Sequence, residues 1–225
     1  MAHVLDNPGW AALTGPHAHL AEVRGGVRRY RPDVSVFIGV PADPGPDDWA
    51  AIASFAGPGG TISLTFDAPL PDGWEIVQNI EGVQLDGSAV QGEPFGEAVV
   101  LTPADVPDML DLVARTEPGP FLPRTIEMGT YLGVRHEGKL VAMAGERLHP
   151  PGWTEISAVC TDASFRGQGL ATRLVLAVAA GIRARGETPF MHASASNVDA
   201  IRLYEKLGFT LRARRLFRQV RVPGA

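Results

Sequence analysis

In the stretch SFRGQGLATRL (164–174), Gly167 and Gly169 flank Gln168, behind Arg166 and ahead of an apolar repeat. Leu170, Leu174, Val178 and Ile182 recur at helical spacing, so the glycines stand where a helix begins. The first amides of a helix have no internal partner and point outward at the positive end of its dipole. Glycines let a ligand approach that backbone closely, and Arg166 adds a fixed cation able to fork onto a phosphate oxygen. The chemistry this pattern suits is binding of a phosphate or pyrophosphate. The same residues also read as a tight strand-to-helix turn. An ordinary nucleotide loop is disfavoured, because the Lys-Ser/Thr pair of a Walker A loop and the third glycine of GxGxxG are both missing.

Other residue types that could do chemistry cluster nearby. The strand TEISAVCT (154–161) runs into the glycine loop, and strict alternation puts Glu155 on one face with Ser157, Val159 and Thr161. Cys160, the single cysteine, is out of phase with Val159 and Thr161 and reads as a small core hydrophobe, and it excludes an internal disulfide. The histidines show no metal-ligand spacing, so no metal is expected; His192, on the strand PFMHAS, is a candidate for the acceptor side. Five arginines between Arg212 and Arg221 read as a solvated sheet edge rather than a nucleic-acid stripe, because the formal net charge is -5.

The elements that must position these groups are legible mainly in the second half of the 225-residue chain. The linker DGSAVQGEPFGE (86–97) marks a boundary, giving domains 1–95 and 96–225. The first reads as a smaller α/β unit: a helix over 17–30, strands over 34–40 and 61–66, a helix over 47–55, and one or two strands over 74–85. After it come a strand in EAVVLTP, a helix opened by Thr102 and Pro103, a short helix over 121–128, and two strands around Glu137-Gly138. The strand 154–161, a helix over 168–185, the strand PFMHAS, a short helix in NVDAIRLYEKLG, and one or two closing strands complete the pattern. The longest apolar runs fall short of a membrane span and the start lacks a signal-peptide pattern, so the expectation is a cytoplasmic protein with no membrane or nucleic-acid partner, monomeric or homodimeric.

Arg166-x-x-Gly169-x-Ala171 resembles the R/Q-x-x-G-x-G/A signature of the GNAT N-acetyltransferase superfamily. NVDAIRLYEKLGF (197–209) is similar to a second stretch of that superfamily, with Asn197, Ala200, Leu203, Tyr204, Gly208 and Phe209 at matching positions. The resemblance covers about residues 97–220, and is nearest to a branch with an extra N-terminal domain. It implies an α/β (α+β) fold class: a mixed, mostly antiparallel sheet flanked by helices, preceded here by the smaller α/β domain. It also implies acetyl-CoA as cosubstrate and acyl transfer to a primary amine of a small molecule or peptide. On the matching positions, Gly167, Gln168, Gly169, Leu170 and Ala171, with Arg166, would take the pyrophosphate, and the backbone of Val159 and Thr161 would pair with the pantetheine arm. Asn197 reads as a helix cap and, by resemblance, as a contact to that arm. Tyr204 reads as core and, by resemblance, as the general acid at the sulfur. Glu155 is a candidate base, with Glu146 and Glu127 as rivals and water as the fourth option. Ala163 stands where many relatives have proline. Two other readings remain open: a module that binds acyl-CoA without turnover, as a sensor or scaffold, and transfer of acyl groups longer than acetyl.

Overall fold

The computed structural model describes residues 3–66 and 68–224. In chain order the chain forms α1 (Pro8–Thr14), β1 (Ala21–Arg24), β2 (Val27–Tyr30), β3 (Ile38–Gly39), α2 (Pro46–Ala56), β4 (Thr61–Leu64) and β5 (Glu75–Asp86). It continues with β6 (Val99–Val100), α3 (Val106–Thr116), β7 (Tyr131–His136), β8 (Lys139–Glu146) and β9 (Trp153–Thr161). The remaining elements are α4 (Leu170–Ala184), β10 (Thr188–Ser194), α5 (Val198–Lys206) and β11 (Thr210–Arg221).

The strands build a three-stranded sheet, β1-β2-β3, and an eight-stranded sheet in the order β4-β11-β5-β10-β9-β8-β7-β6. Every neighbouring pair of the large sheet is antiparallel except β9 and β10. The β9-to-β10 connection is α4, the crossover that a parallel pair needs. Its apolar stripe buries Leu174, Val175, Val178 and Ile182 against Val141, Ala144, Ile156 and Met191 of the sheet. Burial of each large side chain on such a stripe stabilises by about 1.5–3 kcal/mol. On the opposite face, Met109 and Leu112 of α3 pack with Tyr131, Met143, Ala158 and Cys160.

The N-terminal segments are joined closely to this body. β5 sits between β10 and β11, so the large sheet crosses the boundary expected near residue 96. Leu5, Leu13, Tyr30 and Phe37 share a core with Met128, Leu148 and Phe190. α2 and the small sheet pack on Leu64 of β4 and Val220 of β11.

Several local expectations change. The helix expected over 17–30 is instead a 3-10 turn followed by the β1–β2 hairpin, with Arg24 paired to Val27. Gly25, at φ 55°, supplies the left-handed turn conformation that ends a helical path and favours a hairpin. The true helix, α1, is seven residues long, too short to show a period; Asn7 caps it by accepting the Trp10 amide at 3.3 Å. The strand expected over 34–40 contracts to β3, and the one in EAVVLTP to β6. The helix expected over 121–128 is a single 3-10 turn, Thr125–Met128. The closing segment is one strand, β11.

Candidate active site at the β9–β10 gap

The parallel pairing of β9 and β10 runs from Trp153 and Thr188 to Ile156 and Met191 and then stops, although β9 continues to Thr161 and β10 to Ser194. Beyond Ile156 the edge of β9 that faced β10 has no strand partner among the described residues. β9 is also bulged. Ser157 pairs with Gly145 and Cys160 with Met143, so three steps on β9 meet two on β8, and Ala158 takes a φ of 53°. For a residue with a Cβ, that conformation costs on the order of 1 kcal/mol.

The extra residue inverts the alternation. Ile156 and Val159 both pack with the α4-side core, whereas Ala158 and Cys160 pack with the α3-side core. The expectation that Glu155 shares a face with Val159 and Thr161 therefore fails, because simple alternation assumes an unbulged strand. Past the bulge, the Asp162 amide donates to the Val141 carbonyl on β8 at 2.8 Å. Backbone direction alternates along a strand, which turns the polar backbone groups of Thr161 and Val159 toward the gap. The Thr161 hydroxyl is buried without a hydrogen-bond partner among the described residues.

At the end of β9, Asp162 caps a 3-10 turn by accepting the Ser164 amide at 3.0 Å. Then Gly167 and Gly169 take φ of 78° and 75°, and Gly169 is the residue before α4. Both need glycine for that conformation, and a Cβ at either would meet no protein atom within 4 Å, so the backbone is open to a ligand. Among the described residues no side chain caps α4, and its first i to i−4 bond is donated by Arg173 to Gly169, at 3.1 Å. The amides of Gly167, Gln168, Gly169, Leu170 and Ala171 have no partner among the described residues. Exposed Arg166 stands beside them, its Nε donating to the Thr161 carbonyl at 3.4 Å. These groups fit a pyrophosphate: outward amides, a helix dipole and an exposed cation.

α5 brings two more groups. Asn197 caps it by accepting the Ala200 amide at 3.3 Å, leaving the Asn197 side-chain NH2 free among the described residues. Tyr204 is buried in the α4-side core and meets Phe209 edge-on at 6.2 Å. Its hydroxyl makes no hydrogen bond among the described residues and is not sealed from solvent. Burial, with a smaller effect of neighbouring Cys160, raises the phenol to about 12. Cys160 itself is raised to about 11 by burial, which fits a core thiol.

The candidate bases are each held by a cation. Glu155 is fully buried, and its carboxylate accepts Arg147 Nε and Nη2 at 2.8 and 2.7 Å and pairs with His192 Nδ1 at 2.7 Å. Burial alone would raise the Glu155 carboxyl, but the Arg147 charge and hydrogen bonds, with His192 adding, hold it far below the usual carboxylate range. The chain of contacts goes on from His192 Nε2 to Gln84 Nε2, and from Gln84 Oε1 to Arg212 Nη1. Glu146 pairs with Arg185 at 2.8 Å and accepts the Thr130 amide at 3.1 Å. Glu127 pairs with Arg124 and Arg31 at the surface. Arg147 and Gln84 carried no sequence signal of their own. The usable hint was Glu155 itself, because an acid inside an apolar strand calls for a buried cation without saying which.

Among the described residues no group of three or more His, Cys, Asp or Glu could hold a metal ion, and no helix is long and apolar enough to cross a membrane.

A sequence profile for the FR47-like protein family matches residues 131–218. The chain is 38% identical to a protein from Novosphingobium aromaticivorans assigned to the GNAT family of acetyltransferases; the match covers 100% of both chains with a TM-score of 0.89. A GCN5-related N-acetyltransferase from Kribbella flavida shares the fold at 18% identity, over 96% of each chain, with a TM-score of 0.59. A GNAT-family acetyltransferase from Colwellia psychrerythraea does so at 18% identity over 65% of this chain and 58% of that one, with a TM-score of 0.52. No curated protein matches. The chain belongs to the GNAT acetyltransferase family, whose general activity is acetyl-CoA-dependent N-acetyl transfer.

Proposed function

We propose that this protein moves an acetyl group from acetyl-CoA to a primary amine at the β9–β10 gap. The observation that carries the reading is the run of unpartnered amides, Gly167 to Ala171, beside Arg166 at the end of a strand whose outer edge is unpaired. Those amides and Arg166 take the pyrophosphate. The backbone of Val159 and Thr161, the orphan Thr161 hydroxyl and the free Asn197 amide receive the pantetheine arm. The thioester supplies an activated acetyl group, and the Val159 N–H polarises its carbonyl oxygen.

In the transfer, the amine nitrogen bonds to the acetyl carbon, the carbon–sulfur bond breaks, and one amine proton leaves. Tyr204 serves the departing sulfur. Its phenol, at about 12, stays protonated at neutral pH. A thiol is the stronger acid, at about 8.5, so full proton transfer from Tyr204 is uphill and its main help is a hydrogen bond to the developing thiolate. Glu155 acts as a positioning residue that fixes Arg147 and His192, and water takes the amine proton. The N-terminal segment carrying Tyr30 and Phe37 forms the acceptor-side cover.

Calorimetry with acetyl-CoA tests this reading, together with CoA release over a panel of amines. Micromolar binding that weakens about tenfold in Arg166→Glu is expected. An absence of binding would overturn it; binding without turnover on any amine would favour the acyl-CoA sensor.

A further inference from the structure

A small cavity opens under the N-terminal segment, between Phe37, Arg147, His192, Arg215 and Phe217, with Thr65 at its side. It has room for about one or two waters, or for the end of a molecule. His192, which lines the cavity, is the first β10 residue beyond the last β9–β10 pair.

Among the described residues, the charges at and beside the cavity do not balance. Arg147, Arg212 and Arg215 face two carboxylates, Glu155 and Asp6. Glu155 is occupied by Arg147 and His192. Asp6 holds Arg212 at 2.6 Å and reaches Arg215 only at 3.7 Å. Arg215 Nη2 donates to the Leu5 carbonyl at 2.7 Å and to Gln84 Oε1 at 3.4 Å, both neutral acceptors. Arg215 Nε is buried with no acceptor among the described residues. Burial and then the Arg212 charge press Arg215 below its usual value, against a weaker pull from Asp6, as befits a cation short of an anion. Arg147 uses Nε and Nη2 on Glu155, and its Nη1 makes no hydrogen bond among the described residues. The walls between these donors are aromatic: Phe37 lies under the Arg147 guanidinium at 4.7 Å, and Phe217 meets His192 edge-on at 5.6 Å.

We infer that this cavity binds the carboxylate of the acceptor, and that the acceptor is a small amino acid whose amine points into the β9–β10 gap. The inference deepens the transferase reading and rests on it. A carboxylate offers two oxygens to the guanidinium nitrogens that lack acceptors, and one negative charge to a cluster that is one short. The limited space admits a carboxylate on a short stem and excludes a peptide chain continuing beyond it.

The test compares glycine, L-alanine, L-methionine and L-phenylalanine, each with its amide. CoA release is expected to favour at least one acid over its amide by about ten- to a hundredfold in kcat/KM, the range of a charge-assisted hydrogen bond. Arg215→Gln is expected to remove that preference by raising KM for the acid, with acetyl-CoA affinity by calorimetry unchanged. Melting temperature, read without acetyl-CoA, gives a measurement independent of turnover and of the variant: the preferred acid is expected to raise the Tm of the unaltered protein and its amide is not. Equal use of acids and amides, or no acid that shifts the Tm or is acetylated, would overturn the inference. A protein that binds these acids but not acetyl-CoA would instead defeat the transferase reading and leave the carboxylate site standing.

Discussion

Ile156 and Met191 are the last residues that hold β9 and β10 together, and two residues past Ile156 the chain turns through Ala158 at φ 53°. The end of pairing and the bulge act jointly. The first opens an edge of backbone donors and acceptors, and the second swings Val159 onto the α4 side, toward the helix whose first amides are also unpartnered.

Gly169→Ala should separate binding from folding. The left-handed conformation at this position costs an alanine on the order of 1 kcal/mol, and the new Cβ meets no protein atom within 4 Å. We expect a Tm drop of a few degrees and a clear loss of acetyl-CoA affinity. Unchanged affinity by calorimetry would mean that this backbone is not the anion site.

Tyr204→Phe removes a hydroxyl that makes no bond among the described residues and keeps the ring against Phe209. Stability and acetyl-CoA affinity should therefore hold, while kcat falls about ten- to a hundredfold. An unaltered kcat would return Tyr204 to a packing role.

Glu155→Gln takes the charge from a buried pair and leaves Arg147 uncompensated. A loss of about 3 kcal/mol or more is expected, seen as a Tm lower by roughly 10 °C. The pH profile distinguishes the roles. If Glu155 only positions its neighbours, the lost activity stays lost as pH rises; recovery near pH 9, where the amine deprotonates unaided, would show that Glu155 takes the proton.

His17 gives the protein an acid-sensitive joint. It is buried against the Tyr30 hydroxyl at 2.8 Å and the Met128 carbonyl at 3.1 Å, and burial, with nearby His149 adding, lowers it from 6.5 to about 3. The unfolded chain binds this proton first, so stability is full above pH 6.5 and is lost as pH falls from 6.5 toward 3. From pH 7.5 to 5, urea unfolding should show a loss of about 2 kcal/mol from this group. His17→Gln should flatten that slope. The Glu155 carboxyl, held low, is lost only at more acid pH, below the usual carboxylate value, and does not contribute in this window.

The parts of the site legible in the sequence are those fixed by local chemistry. The left-handed glycines at 167 and 169 and the cap at Asn197 each depend on neighbours a few residues away. The hairpin at 21–30 escaped because four-residue strands with mixed exposure show no clear period. The face of Val159 escaped because a bulge centred on alanine has no residue signature. The Glu155 network escaped for a different reason: it joins residues 84, 147, 155, 192 and 212, which meet only once five separate strands or loops have been assembled.

Strand β5 carries a consequence for how the chain is made. It is synthesised early, yet both of its neighbours, β10 and β11, emerge from the ribosome roughly a hundred residues later. Until then its twelve residues, with Ile76, Val77 and Ile80 among them, present two unsatisfied edges. Folding should therefore be slow and late, governed by non-local closure, and a nascent or truncated chain lacking its last strands should be a natural client for chaperones.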